Sequence, residues 1–420
     1  MNQKTLVYLI GAALVALGVA VAINVSKRPQ TDVSEQAQPL LPALHGHVND
    51  VSAITLTGAD NKVLATLKRA SDGWVVVEKS NYPADIAKVR EFLLKLDQAT
   101  LIEQKTSNAQ RYAELGVGEV KEKDAKGVLV ELSGLAQPVK LIIGNSNGAG
   151  GGGTFVRKDG DAQSWLAKGT LTVEKNAAEW ERRDLTDIAS TRLALVTLTN
   201  PDGKVLKVYK DAAGDANFKV ADVPKGRETS SEFAANGLAS ALAGLKADDA
   251  IAAKDAAAPD KVYKAHYAAF DGLVVDATGW DKDGKDFEQF TAKVDAAAAN
   301  AQIDRDQAKA KSDYEAAVQA AAGKPAPPPP ATNPEVPKPA AVADPDKDRR
   351  DKIEALNAEA VALNKVFDGW TFILPSYKFA NMNKGMDDML KPLDSKKPDA
   401  KDAKDAAKPA AKPAAKPASK

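Results

Sequence analysis

The most continuous hydrophobic pattern in the chain is a run of twenty positions, Leu6 to Val25, that contains no charge. At about 1.5 Å of rise per residue, roughly 20 helical residues cover the ~30 Å hydrocarbon core of a bilayer. Lys4 before the run and Lys27 and Arg28 after it are placed to reach headgroups. The pattern predicts one transmembrane helix, with residues 1–28 as the anchor and no comparable run behind it. Ala20 and Ala22 form the small-x-small signature of a cleavable signal, but Val19, Val21, Ile23 and Val25 carry the apolar run past that site, which favours retention. The flanking charges nearly balance, so the positive-inside rule does not orient the anchor by itself.

Residues 29–47 read as a linker, because Pro29, Pro39 and Pro42 interrupt regular structure. From Val48 the pattern changes to alternation. VSAITLTG, KVLATLKR and WVVVEK are β-rich runs separated by a turn at Ala59 to Lys62 and another at Asp72 and Gly73, which predicts an antiparallel meander. Pro83 to Asp97 then places Ile86, Val89, Phe92, Leu93 and Leu96 at helical spacing, with Pro83 in the first turn. Strands are predicted again at Gly127 to Gly134, Pro138 to Gly144 and Thr154 to Lys158, and the copy closes with Trp165, Trp180 and ERRDL.

The pattern then restarts. ITLTGADNKVLATLKRASDGWVVV from Ile54 aligns with VTLTNPDGKVLKVYKDAAGDANFKV from Val196, and Phe233, Leu238, Leu242 and Leu245 take the place of the first helical stripe. Each helix is followed by a short strand, TLIEQ or DAIAA. A repeat longer than ~100 residues exceeds any solenoid unit, so it predicts a duplicated domain, the copies packed side by side through a shared face. In the second copy, Phe270 to Val294 reads as a hairpin turning at Asp281 to Gly284. Asp295 to Ala322 and Arg349 to Val366 are helix-forming, and between them lies the Pro-rich Gly323 to Pro345. The expected fold is therefore α+β: two tandem copies of an antiparallel sheet with a packed helix, an N-terminal transmembrane helix, and a helical hairpin projecting from an edge of the second sheet. The expected boundaries are 48–190 for the first copy, 191–390 for the second with an insertion at about 295–366, and a disordered Lys/Ala/Pro tail at 391–420.

Composition narrows the chemistry. Lys plus Arg number 57 and Asp plus Glu number 57, so the chain is formally neutral and offers no global field for nucleic acid. It has no Cys, which removes disulfides, thiolate nucleophiles and Cys-based zinc sites. The glycine run at Gly148 to Gly153 is followed by Thr154 and Phe155, not by the Lys and Ser or Thr of a phosphate loop. His45 and His47 form an HGH pair in the linker, without the third ligand a metal site needs, and His266 stands alone in an apolar strand. No G-x-S-x-G motif is present to supply a nucleophile. Asp248 with Asp249 and Asp387 with Asp388 read as solvated faces, and Trp74, Trp165, Trp180, Trp280 and Trp370 as packing residues. No catalytic, cofactor-binding or metal-binding residue is assigned.

The string GLVVDATGWDKDGKDF and, after the insertion, GWTFILPSYKFANMNKGMDDML resemble the closing half of the bacterial family called domain of unknown function 4340. In the first copy GWVVVEKSNYPAD, RYAELGV, VKLIIGNSNGAGGGGTFVRKDG and WERRDLTDI are similar to the same family. The resemblance covers most of Val48 to Pro392 and excludes the linker, insertion and tail. It implies a single anchor in the inner membrane through residues 6–25, a body in the periplasm, and an accessory role beside a gliding-motility or other export-type ABC transport system, with a permease or other membrane protein as partner. The expected function is thus a non-enzymatic, partner-binding membrane protein. The alternative is an envelope module whose basic tail contacts peptidoglycan or anionic glycans.

Overall fold

The computed structural model describes residues 38–148, 152–231, 233–322 and 342–393. The anchor at 6–25, the linker as far as residue 37, the middle of the glycine run, the Pro-rich segment at 323–341 and the tail from 394 lie outside the described residues. Among the described residues, no helix is long and apolar enough to cross a membrane. The architecture is α+β, with antiparallel sheets and helices in two compact units that divide between Arg182 and Arg183. The sequence-based boundary at 190 falls later. Asp184 to Thr186, within ERRDLT, pairs with Leu245 and Lys246 and so belongs to the second unit.

The first unit carries strands β1 (Ala53–Thr57), β2 (Val63–Ala70), β3 (Gly73–Val76), β4 (Tyr82–Pro83) and β5 (Leu101–Gln104), then β6 (Val128–Ser133), β7 (Val139–Ser146), β8 (Thr154–Lys158) and β9 (Ser164–Ala167). Its sheet order is β4-β3-β2-β1-β6-β7-β8-β9-β5. Ile54 and Leu56 are buried while Thr55 between them is not, the period-2 signature of a strand with one covered face. Helix α1 (Ile86–Gln98) starts where the Asp85 carboxylate accepts the Lys88 N–H at 3.0 Å. It buries Val89, Phe92, Leu93 and Leu96, with Phe92 edge-on to Trp180 at 5.4 Å between centroids.

Three expectations change here. Pro83 is not in the helix; it pairs with Val75, and capping by Asp85 sets the start later. Ile86 is therefore the first helical residue and stays about half exposed. The end of the predicted linker is folded: Leu40, Leu41 and Leu44 are buried in the core, and the Leu40 N–H bonds the Ala99 carbonyl at 2.8 Å. The prolines prevent helix there but not packing. Helix α2 (Tyr112–Leu115) lies in a segment laid over the opposite sheet face, with Tyr112, Val117 and Ile142 forming a small second core.

The second unit contains β10 (Asp184–Thr186), β11 (Leu193–Thr199), β12 (Val205–Tyr209), β13 (Lys219–Val220), β14 (Arg227–Thr229), α3 (Ala234–Ala239), β15 (Leu245–Lys246) and β16 (Asp249–Ala252). There follow β17 (Tyr263–Ala269), β18 (Leu273–Lys282), β19 (Lys285–Val294), α4 (Ala296–Ala322), α5 (Pro345–Phe367), β20 (Trp370–Leu374), α6 (Ser376–Phe379), α7 (Met386–Met389) and β21 (Leu390–Pro392). Its main sheet runs β13-β12-β11-β17-β18-β19-β20-β16. Taken in chain order, these strands follow the connectivity of the first sheet with one omission, a counterpart of β4. The β18–β19 hairpin closes on Asp283 (φ 54°) and Gly284 (φ 71°), the left-handed pair that a two-residue turn requires.

Helix α3 is far shorter than the predicted stripe. Gly237 and Ser240 fall where α1 has strong helix formers, Leu245 belongs to a strand, and Phe233 is exposed while Leu238 and Leu242 are buried. The predicted tail also begins too early, since Lys391 and Pro392 pair with Glu228 and Arg227.

Candidate functional site

The inserted hairpin is the part of the second unit least explained by its own packing. It leaves the sheet between β19 and β20, two paired strands, and so does not arise at a sheet edge as predicted. β20 pairs only with Asp286 to Glu288, so the rest of β19 has a free side. Asn364 of α5 fills that place. Its Oδ1 accepts the Ala292 N–H at 2.7 Å and its Nδ2 donates to the Ala292 carbonyl at 2.8 Å, replacing a strand with one side-chain amide. One turn and a half earlier, Glu359 takes a two-pronged bond from Arg192 at 2.6 and 2.7 Å, and the same guanidinium bonds Asp271 at 2.6 Å. Glu359, more than the partial burial opposing it, holds the Arg192 guanidinium firmly protonated. Phe367 completes the root against Phe290, 5.3 Å between centroids.

Above this root the two helices are joined by polar contacts. Arg349 bonds Asn300 at 2.8 Å and Asp304 at 2.5 Å, and Gln307 bonds Asp348 at 2.9 Å and the Pro345 carbonyl at 2.8 Å. Pro345 is the first residue of α5, so α4 runs on beyond it from residue 308 to 322, about 20 Å of helix. Along this overhang Tyr314 and Val318 are exposed, and a groove of about 540 Å³ is lined by Asp304, Ala308, Lys311, Tyr314 and Val342. Pairs such as Lys309 with Asp313, 2.6 Å apart, support the helix locally without covering those apolar side chains.

Residues tested for chemistry are dispersed. His47 Nδ1 lies 2.8 Å from Asp50 and His45 Nδ1 3.4 Å from Asp97, so each ring of the HGH pair faces its own carboxylate. His266 is not alone. It stands opposite Asp276 across β17 and β18, 2.6 Å away, and Asp276 also accepts a bond from Lys293 at 2.6 Å. Partial burial pushes the Asp276 carboxyl up, but the bonds from Lys293 and His266 outweigh it and hold it low. Asp249 at the start of β16 accepts the N–H of Ala250, the next residue, and Asp388 in α7 accepts the Gly385 N–H, so both carboxylates serve local backbone bonds. Among the described residues, no group of three His, Asp or Glu side chains is placed to hold a metal ion. Trp74, Trp180 and Trp280 are buried.

Among the buried charged groups that escaped the sequence reading, Arg157 and Glu288 are the most deeply buried. Arg157, 2 % exposed, donates to the Val117 carbonyl at 2.9 Å and to Glu119 at 2.5 Å and stacks over Tyr112, clamping the α2 segment to the sheet. Glu288, 1 % exposed, has an Oε2 without a hydrogen-bond partner, as does the hydroxyl of buried Tyr267. Burial, then the nearby Asp286, drives the Glu288 carboxyl well up. Glu288 lies on the covered face of β19, where alternation predicts an apolar side chain, and that departure was the available signal; Arg157 lies on the other face of β8, beside Phe155, where alternation predicts a polar residue and gives no sign of burial.

Residues 74–265 match the family model described as Domain of unknown function (DUF4340). The chain carries a DUF4340 domain. The DUF4340 match begins at Trp74 in β3 and ends at Ala265 in β17, so it crosses from the first unit into the second. It stops before the β18–β19 hairpin and the inserted helices, and therefore before the closing strings on which the sequence resemblance leaned. No curated protein and no solved structure matches the chain.

Proposed function

We propose that this chain is a non-enzymatic, membrane-anchored accessory protein that uses the α4–α5 hairpin to bind a membrane partner, an ABC transporter permease being the partner class implied by the family. The observation that carries the reading is the pairing of a fixed root with an uncovered end. Arg192 and Asn364 lock the hairpin to the sheet, while Tyr314 and Val318 stand exposed on a helix that runs past its own partner. An Ala-rich helix with few large apolar side chains gains little from packing beyond its buried base, and an apolar pair near its end supplies a contact point for another protein.

The remaining parts of the proposal follow from the sequence. The uncharged run at Leu6 to Val25 supports an inner-membrane anchor with the body in the periplasm. The shared connectivity of the two sheets supports an origin by tandem duplication. Photo-crosslinking in cells from positions 314 and 318, with Glu122 as an exposed control, tests the reading. Capture of one membrane protein from both hairpin positions and not from the control is expected; no membrane partner from either would overturn it. A reporter fused to the C-terminus is expected to be active only outside the cytoplasm.

A further inference from the structure

The missing counterpart of β4 leaves one sheet edge unlike the other. In the first unit Leu67 faces Val76, and Val76 in turn faces Tyr82 of β4. In the second unit Val208 faces Val220 in the same way, but among the described residues no strand follows on the outer side of β13, the last strand of its sheet. The correspondence extends to neighbouring side chains. Trp74 lies under Arg69 at 5.1 Å, and Phe218 lies under Lys210 at 4.8 Å. Tyr82 is wholly buried in its place, and its hydroxyl donates to the Arg182 carbonyl at 3.1 Å. The chain after β13 instead turns away at Asp222 (φ 54°), and β14 pairs with β21.

We infer that the outer edge of β13 accepts an extended peptide strand from a partner protein, antiparallel, with an aromatic side chain set beside Phe218 and Val220 as Tyr82 is set beside Trp74 and Val76. The backbone is poised for it. The Ala221 N–H bonds the Lys207 carbonyl at 2.9 Å, so by antiparallel alternation the N–H and C=O of Val220 point away from β12. The neighbouring rung is closed, since Asn236 Oδ1 accepts the Phe218 N–H at 2.9 Å, which limits the incoming strand to the Val220 rung and residues beyond it. A groove of about 320 Å³ lies there, lined by Phe218, Val220, Thr229, Ser231 and Ala235. Phe233, 68 % exposed, follows two residues after Ser231, whose Oγ accepts its N–H. Strand addition of this kind draws affinity from main-chain bonds and selectivity from the side-chain pocket. Neither the anchor nor the hairpin enters this inference, so it stands or falls apart from the function proposed above.

The test uses the full chain and a synthetic peptide of residues 79–86 carrying benzoylphenylalanine at the tyrosine position. After irradiation, crosslinks are expected within residues 217–235, competed by the unlabelled peptide. Val220→Pro removes the outward N–H without touching the β12 ladder, and Ser231→Trp fills the groove. Each is expected to cut the yield by about fivefold or more, a loss of about 1 kcal/mol, with circular dichroism unchanged. Crosslinks at residues 73–76, where the probe would displace β4, or a yield unaltered by both variants, would overturn the inference. Dimerisation of the chain that Val220→Pro abolishes would also overturn it, because a second copy would then be the occupant.

Discussion

Replacing Glu288 by Met should stabilise the second unit, increasingly so as pH rises. The carboxyl is 1 % exposed, one of its oxygens has no partner, and burial together with Asp286 keeps it protonated well above the ordinary carboxylate range. Below the ordinary range both the folded and the unfolded chain hold the proton, and the group contributes no pH dependence. Above it the unfolded chain releases the proton and the folded chain does not, so stability falls with rising pH at up to about 1.4 kcal/mol per unit until the folded group also ionises. The native chain therefore loses stability as pH rises above the ordinary carboxylate range, and the variant does not. Met fills nearly the same volume without a charge, at a packing cost below about 1.5 kcal/mol. Hydrogen exchange of the β18 and β19 amides, corrected for its intrinsic pH dependence, reads the local stability. Native protein should lose protection across this range and Glu288→Met should not. Equal slopes in the two proteins, or a variant less protected than the native chain at the upper pH, would refute the reasoning.

Other perturbations test the hairpin root and the first unit. Asn364→Ala strands a backbone N–H and carbonyl of β19, at about 1–3 kcal/mol each, and should raise exchange at Ala292 before any global unfolding. A double-mutant cycle between Arg192 and Glu359 should give a coupling of about 1–2 kcal/mol, above the value usual for exposed pairs, because the contact is two-pronged and half-buried. Gly127→Ala would place a methyl 2.3 Å from the Gly116 carbonyl oxygen, so the first unit should lose at least about 2 kcal/mol on urea titration. Phe92→Ala, which empties the contact with Trp180, should cost about 3–5 kcal/mol in the same assay.

Much of the sheet was legible because alternation is strong where only one face is covered. The β18–β19 hairpin was read at its turn, since Asp-Gly can adopt the paired left-handed angles at little cost. What escaped was set by tertiary contact. Leu40, Leu41 and Leu44 sit among prolines, and only their packing with the rest of the first unit's core makes them core. The α3 stripe had the right spacing, but spacing does not weigh Gly237 and Ser240 against the pull of β15 toward β10. The hairpin helices were visible by composition, whereas their attachment was not: Asn364 is one amide in a charged helix, and its role exists only because β20 ends early on β19. His266 looked isolated because its partner Asp276 lies ten residues on, across a strand pair.

The hairpin also has a mechanical side. Its attachments along α5, at Glu359, Asn364 and Phe367, fall within eight residues, a span of about 12 Å, while α4 alone is 27 residues and about 40 Å long. A sideways load at the far end therefore acts through a lever several times longer than its fulcrum and arrives at the root multiplied. The first bonds to feel it are those that seal the free side of β19, the strand that also carries Glu288. Tension applied at the far end would reach the sheet as separation of α5 from β19.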